Sequence, residues 1–241
     1  MAKRSEFEAK KRRKSNKYRP WFGFALWLVR LFTKKRKVEG ELVNESCVYL
    51  CRHRDEDGVI GAFTSLKTVL RPWALQTFLK YKKSIRHFRD YTLTEKAKMP
   101  KWIATVLAPF CGFGVTSLAK SARAIPVYRG ADGAMKSIGT IKASVRALEE
   151  GDKLLVFPDV DYASEDDCGV GELYKGFILV DKLYFKRNAQ HVKFVPVYIS
   201  KDKVVIHSPL EFKEGQEETV YRKIVAGIYN ESIDEMVEQS A

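Results

Sequence analysis

Histidine and usefully spaced cysteine are both scarce in this chain of 241 residues. The four cysteines, Cys47, Cys51, Cys111 and Cys168, follow no zinc-ligand or dithiol spacing. That excludes a metal-stapled or disulfide-built fold and leaves buried or incidental thiols in a reducing compartment. No segment repeats, so solenoids and propellers are excluded too. The N-terminal apolar run is followed by Thr33 and four basic residues rather than by a small-residue cleavage site, which argues against a cleavable signal. That run, Pro20 to Phe32, is also too short to span a bilayer, and it contains Arg30.

Acidic residues are outnumbered 30 to 43, and the imbalance is local. Met1 to Gly40 holds fourteen Lys/Arg and three Glu, which leaves a net +2 for everything after it. Residues 1–19 are too polar and charged to fold alone and read as a basic disordered tail. Residues 20–37 read as an amphipathic membrane-interface helix: aromatic rings suit the headgroup region, and Lys34, Lys35, Arg36 and Lys37 suit anionic lipid. A core helix with a solvated basic arm is the plainer alternative. A nucleic-acid binder would spread its cations over the folded surface, whereas here they stop near Lys37. No nucleic acid is therefore expected.

With 45% hydrophobic residues, 38–241 can bury the core of a single domain. A strand is expected at Ser46–Cys51 and a helix over Gly58–Leu70, ending before Pro72. Trp102 to Ala119 is uncharged but interrupted by Pro109, Gly112 and Gly114. It reads as two short helices about a bend, packed in the core in preference to dipping into lipid. A β-α-β pattern follows: Ala124–Tyr128, a helical stripe from Met135 to Leu148, then Leu154–Pro158. After the acidic loop Asp159–Glu172 come a helix through Leu173, Phe177, Val180 and Tyr184, a strand Val192–Ile199, a paired strand Lys203–His207, and a helix from Glu217 to Val237. Alternating strands and helices predict an α/β fold with a largely parallel central sheet flanked by helices.

One histidine stands in a chemically suggestive setting. The apolar run Cys47-Val48-Tyr49-Leu50-Cys51 ends, and Arg52-His53-Arg54-Asp55-Glu56-Asp57-Gly58 follows. Strand ends are where α/β proteins place chemistry, and a histidine oriented by a carboxylate is a general base for neutral pH. Three further blocks accompany it. Val127-Tyr128-Arg129-Gly130 sets an arginine, whose planar fork suits phosphate, just past a strand. Leu155-Val156-Phe157-Pro158-Asp159 ends a buried strand in an acid. Phe194-Val195-Pro196-Val197 carries an internal proline, which fits a sheet edge or a bulge.

Taken in order, these blocks resemble the glycerolipid acyltransferase superfamily, of which the lysophosphatidic acid acyltransferases are the familiar members. The resemblance runs from Ser46 to Ile199. It implies acyl transfer with His53 as general base and Asp57 as its orienting carboxylate, Asp55 and Glu56 being alternatives. Arg129 would bind the acceptor's phosphate, Asp159 would organise the acceptor site or order the loop after its strand, and Lys175 is a second cationic candidate. No metal or nucleotide cofactor is implied; acyl-CoA or acyl carrier protein is the co-substrate. The partners would be an anionic membrane surface, the thioester donor and a lysophospholipid or glycerol-phosphate acceptor, with the protein peripheral on the cytoplasmic face. Two departures stand out. The family's aspartate falls one residue later, where this chain has Gly58, and Asp159-Val160-Asp161 replaces Glu-Gly-Thr. A His53–Asp57 contact at i,i+4 requires His53 in the first helical turn. An inactive lipid-binding scaffold of the same fold is the alternative, and a basic-tailed nucleic-acid binder a more distant one.

Overall fold

The computed structural model describes residues 18–53, 55–128, 133–159, 173–213 and 215–229, and leaves the side chains of 55–57 and 133–135 outside the description. Chain order begins with α1 (Pro20–Phe32), β1 (Lys37–Glu39), β2 (Val48–Cys51) and α2 (Asp55–Ser65). β3 (Leu70–Leu75) leads into α3 (Gln76–Leu79), α4 (Tyr81–His87) and a π-helical segment (Phe88–Lys96). Then come α5 (Lys101–Ser121), β4 (Ile125–Val127), α6 (Gly133–Glu149) and β5 (Lys153–Val156). A 3₁₀ turn (Lys175–Phe177) opens α7 (Ile178–Asn188), and β6 (Phe194–Ile199), β7 (Lys203–Ile206) and α8 (Glu217–Tyr229) complete the described chain. This is the α/β class: seven strands in a mostly parallel mixed sheet, with eight α-helices among the described residues.

The chain divides into two compact units. The first holds Leu26–Leu70 and everything from Ile141 on; the second holds Tyr18–Ala25 and Arg71–Thr140.

In the first unit the strand order is β1-β7-β6-β2-β5. All four residues of β2 are buried. It runs parallel to β5 on one side and to β6 on the other, so both of its faces need apolar cover and its sequence does not alternate. β6 and β7 form the antiparallel pair. Of the sheet edge or bulge expected at Pro196, the edge is corrected here: β6 is an interior strand. The ladder explains how a proline is tolerated there. Residues 200 and 203, then 196 and 207, form hydrogen-bonded pairs, seen in Ser200 N–H to Lys203 O (2.8 Å) and His207 N–H to Pro196 O (3.0 Å). The donor that proline lacks faces His207, just past the end of β7, so the pairing with β2 loses nothing.

β1 adds a parallel edge strand beside β7. It starts at Lys37, within the segment read from sequence as interface helix. Lys37 N–H donates to Asp202 O (2.8 Å) and Arg36 Nε to Ser200 O (2.9 Å), so this end of the basic segment is built into the sheet. Arg30 donates to the Phe63 carbonyl (3.1 Å). α2 is shorter than expected, ending at Ser65, and Leu70 opens a strand instead of closing the helix.

In the second unit β3 and β4 run parallel, with Trp73 opposite Ile125. Arg71 Nε donates to the Arg123 carbonyl (3.0 Å). Two expectations for Trp102–Ala119 are corrected. It is one continuous helix, α5, with Pro109 inside it. It is also mostly exposed, only 22% of its apolar stretch being buried, so it is not a core helix. By length and composition it could cross a membrane. Ala104, Ala108 and Gly112 make a small-residue seam that Ile85 and Phe88 pack against. That seam holds the helix together across a proline that local propensity alone would make a break. Phe22 N–H donates to Ser121 Oγ (3.0 Å), tying the start of α1 to the end of α5.

Candidate active site at the end of β2

β2 ends at Cys51, and Arg52 and His53 follow before α2 begins at Asp55. β5, paired to β2 with Tyr49 opposite Leu155, runs out into Phe157, Pro158 and Asp159. β6 sets Pro196 opposite Leu50. Three of the four blocks, far apart in sequence, therefore lie on three adjacent parallel strands. His53 and Asp159 stand just past the carboxyl ends of theirs, where open α/β sheets hold ligands.

Asp159 is 2% exposed, and the backbone N–H of His53 donates to its Oδ2. Its Oδ1 is buried without a hydrogen-bond partner among the described residues. Burial raises the carboxyl to about 6, against the opposing pull of the His53 N–H, its own N–H and the Arg52 guanidinium. One carboxylate oxygen is thus committed to the main chain of His53. Asp159 also pairs with Leu173, and Tyr174 N–H donates to the Pro158 carbonyl (2.7 Å), which joins the two ends of segment 160–172. That segment, the greater part of the acidic loop, lies outside the described residues, as does Cys168.

The His53 ring is half-buried and meets Phe157 edge-on, with centroids 5.4 Å apart. His53 precedes α2 and is not in its first turn, so the same-face argument for a contact with Asp57 at i,i+4 does not apply. The carboxylates of Asp55, Glu56 and Asp57 lie outside the description, and so do Arg54 and Arg129. Gly58, at the family's aspartate position, has a structural reason to be glycine. Its N–H donates to the His53 carbonyl (3.2 Å), and a Cβ there would stand 2.2 Å from the Arg52 carbonyl oxygen and 2.4 Å from that of His53. No side chain fits at that point of the turn.

Two cations meet α8. The Arg52 guanidinium lies 4.8 Å from the Tyr229 ring centroid, and the exposed Lys175 ammonium 4.5 Å from that of Tyr221. The tyrosines are two helical turns apart, about 12 Å along the axis. Lys175 thus stacks on the same helix that Arg52, the residue before His53, also meets. Burial pushes the Cys47 thiol up to about 12 and that of Cys51 higher still, so both stay protonated.

Sequence reasoning missed a second His–Asp contact. His191 Nδ1 lies 2.9 Å from Asp181 Oδ2, Asp181 Oδ1 accepts from Val192 N–H (2.7 Å), and Phe185 stacks on the imidazole at 4.3 Å. The signal was weak, because the two residues lie on different elements. This pair precedes β6, at the amino end of the parallel strands and so opposite the end where His53 lies, and ties α7 to the strand that follows it. Among the described residues no group of three or more His, Cys, Asp or Glu side chains could hold a metal ion. No protein-family model, curated protein or solved structure matches the chain.

Proposed function

We propose that this chain is a membrane-associated O-acyltransferase, moving a fatty acyl group from acyl-CoA or acyl carrier protein to a hydroxyl of a lysophospholipid, glycerol phosphate or related lipid. The observation that carries the reading is the meeting of blocks one and three: His53, past the end of β2, has its main chain held by the buried Asp159 past the end of β5. A base fixed at a strand end beside a half-buried aromatic wall suits proton abstraction from an entering hydroxyl. His53 takes that proton as the acceptor oxygen bonds to the thioester carbonyl carbon. The C–S bond then breaks and the proton passes to the leaving thiolate. Asp57 orients the imidazole in this scheme, Arg129 holds the acceptor's phosphate, and the protein works peripherally on the cytoplasmic face.

The test is transfer by purified full-length protein from acyl-CoA and acyl carrier protein to lysophosphatidate and glycerol phosphate, read by mass spectrometry. His53→Ala should lower the rate by about 10³-fold or more, Asp57→Asn should lose most of it, and the double variant should be little worse than either. Undiminished transfer by His53→Ala would overturn the reading. No transfer by the wild type to any acceptor in a total lipid extract, with vesicle binding retained, would favour the inactive scaffold. Gly58 in the aspartate's place is the observation on that side.

A further inference from the structure

α5 is built inside out for a helix of a water-soluble fold. Its small residues Ala104, Ala108 and Gly112 face the protein, while Trp102, Val106, Leu107, Phe110 and Phe113 face outward. Trp102 is 73% exposed and Phe110 74%. At 100° per residue, Trp102, Val106, Phe110 and Phe113 fall within an 80° arc, so they form one stripe. Tyr81 extends it, meeting Phe113 edge-on at 6.2 Å. Water is a poor partner for such a stripe, and large contiguous apolar patches mark interaction sites.

Charge identifies the occupant. Residues 76–121 hold nine Lys/Arg against two acids, whereas the remainder of 41–241 is net acidic. Lys80, Lys82, Lys83, Arg86, Arg89, Lys98, Lys101 and Lys120 are all exposed. We propose that the α5 stripe, with the cations of α4 and the helix ends, is a docking surface for an anionic lipid bilayer, with α5 lying in the interface. A second copy of the chain would bring two strongly positive patches together. A spanning α5 would carry α4 and the π-helical segment, with Lys82, Lys83, Arg86 and Arg89, into hydrocarbon, where charged side chains are costly to place. Interfacial docking buries the aromatic stripe and sets the cations against headgroups. The inference deepens the membrane part of the proposed function and requires no catalysis.

The experiment is binding of the full chain to vesicles of phosphatidylcholine alone and with one-third phosphatidylglycerol. In the first variant Trp102, Phe110 and Phe113 are all changed to serine; in the second, Lys82, Lys83 and Arg86 are changed to glutamate. Both sets are exposed, so circular dichroism and melting should match wild type. The serine variant should bind anionic vesicles at least tenfold more weakly. The glutamate variant should show a preference for anionic vesicles at least tenfold smaller than that of wild type, the cations of residues 1–17 keeping the rest. His53→Ala should bind like wild type, so failure of the acyl-transfer reading and failure of this one are separable. Wild-type binding by both variants would overturn the proposal. So would a dimer that the serine variant dissociates, or vesicle association that survives alkaline carbonate, which would mean that α5 spans.

Discussion

A carboxylate 2% exposed beside a candidate base has a thermodynamic signature of its own. In the unfolded chain Asp159 titrates near the ordinary aspartate value, about 3.9. Folded, burial holds it at about 6. Between those pH values the native state binds a proton that the unfolded state does not. This contribution is therefore fully present below pH 4 and is lost as pH rises through 6, a difference of at most about 3 kcal/mol. Asp159→Asn removes the titration and keeps an amide oxygen for the His53 N–H. Relative to wild type it should be more stable at pH 7.5, by about 1–3 kcal/mol, with the advantage shrinking toward pH 4.5. Urea denaturation at the two pH values measures it. A variant less stable than wild type at pH 7.5 would mean that the His53 N–H and Arg52 repay the ionised form more than burial costs it.

Among the elements, α5 separates two glycines that look alike in sequence. A Cβ on Gly112 would stand 2.9 Å from the Ile85 backbone nitrogen, whereas one on Gly114 meets nothing within 4 Å. Gly112→Ala should cost about 1–3 kcal/mol through overpacking. Gly114→Ala should gain up to about 1 kcal/mol from helix propensity. Thermal melts of the two variants should move in opposite directions; a shared direction would refute the seam. The same contrast shows what was legible. β2, β5 and β6 could be read because a strand buried on both faces is a short unbroken apolar run, and the three blocks on them, two at strand ends and Pro196 within β6, could be read with them. β3, Leu-Arg-Pro-Trp-Ala-Leu, neither alternates nor runs apolar, α3 is only four residues long, and α4 and the π-helical segment are short and charged, so nothing periodic announced them. Pro109 and Gly112 read as breakers because the seam that overrides them is tertiary. At the site, His53 and Asp159 were visible as strand-end residues. Their contact, 106 positions apart in the chain, was not.

At the scale of the whole chain, positive charge sits in two separate stretches, residues 1–40 and residues 76–121. Residues 1–17 carry eight Lys/Arg against two Glu, and residues 76–121 carry nine against two acids. The second stretch amends the view that basic character ends near Lys37: the net charge after Gly40 is small because acids elsewhere offset that cluster. Removing residues 1–37 would be a poor test of the tail, since it takes away α1, the Arg36 and Lys37 bonds to the β6–β7 turn, and the start of β1. Removing 1–17 spares them all, so the truncated chain should melt like wild type. Each cation near an anionic surface contributes about 1 kcal/mol, attenuated by salt over a Debye length of about 10 Å at 0.1 M. At that salt the truncation should weaken binding to vesicles with one-third phosphatidylglycerol by tenfold or more without abolishing it, because the second stretch and the aromatic stripe remain. At 0.5 M salt the two proteins should converge on a weaker, shared affinity that reflects the apolar contribution. Complete loss of binding on truncation would leave the tail as the sole membrane contact and α5 with none. Unchanged binding, with salt-sensitive capture of duplex DNA by the full chain alone, would turn the tail from a lipid contact into a nucleic-acid arm.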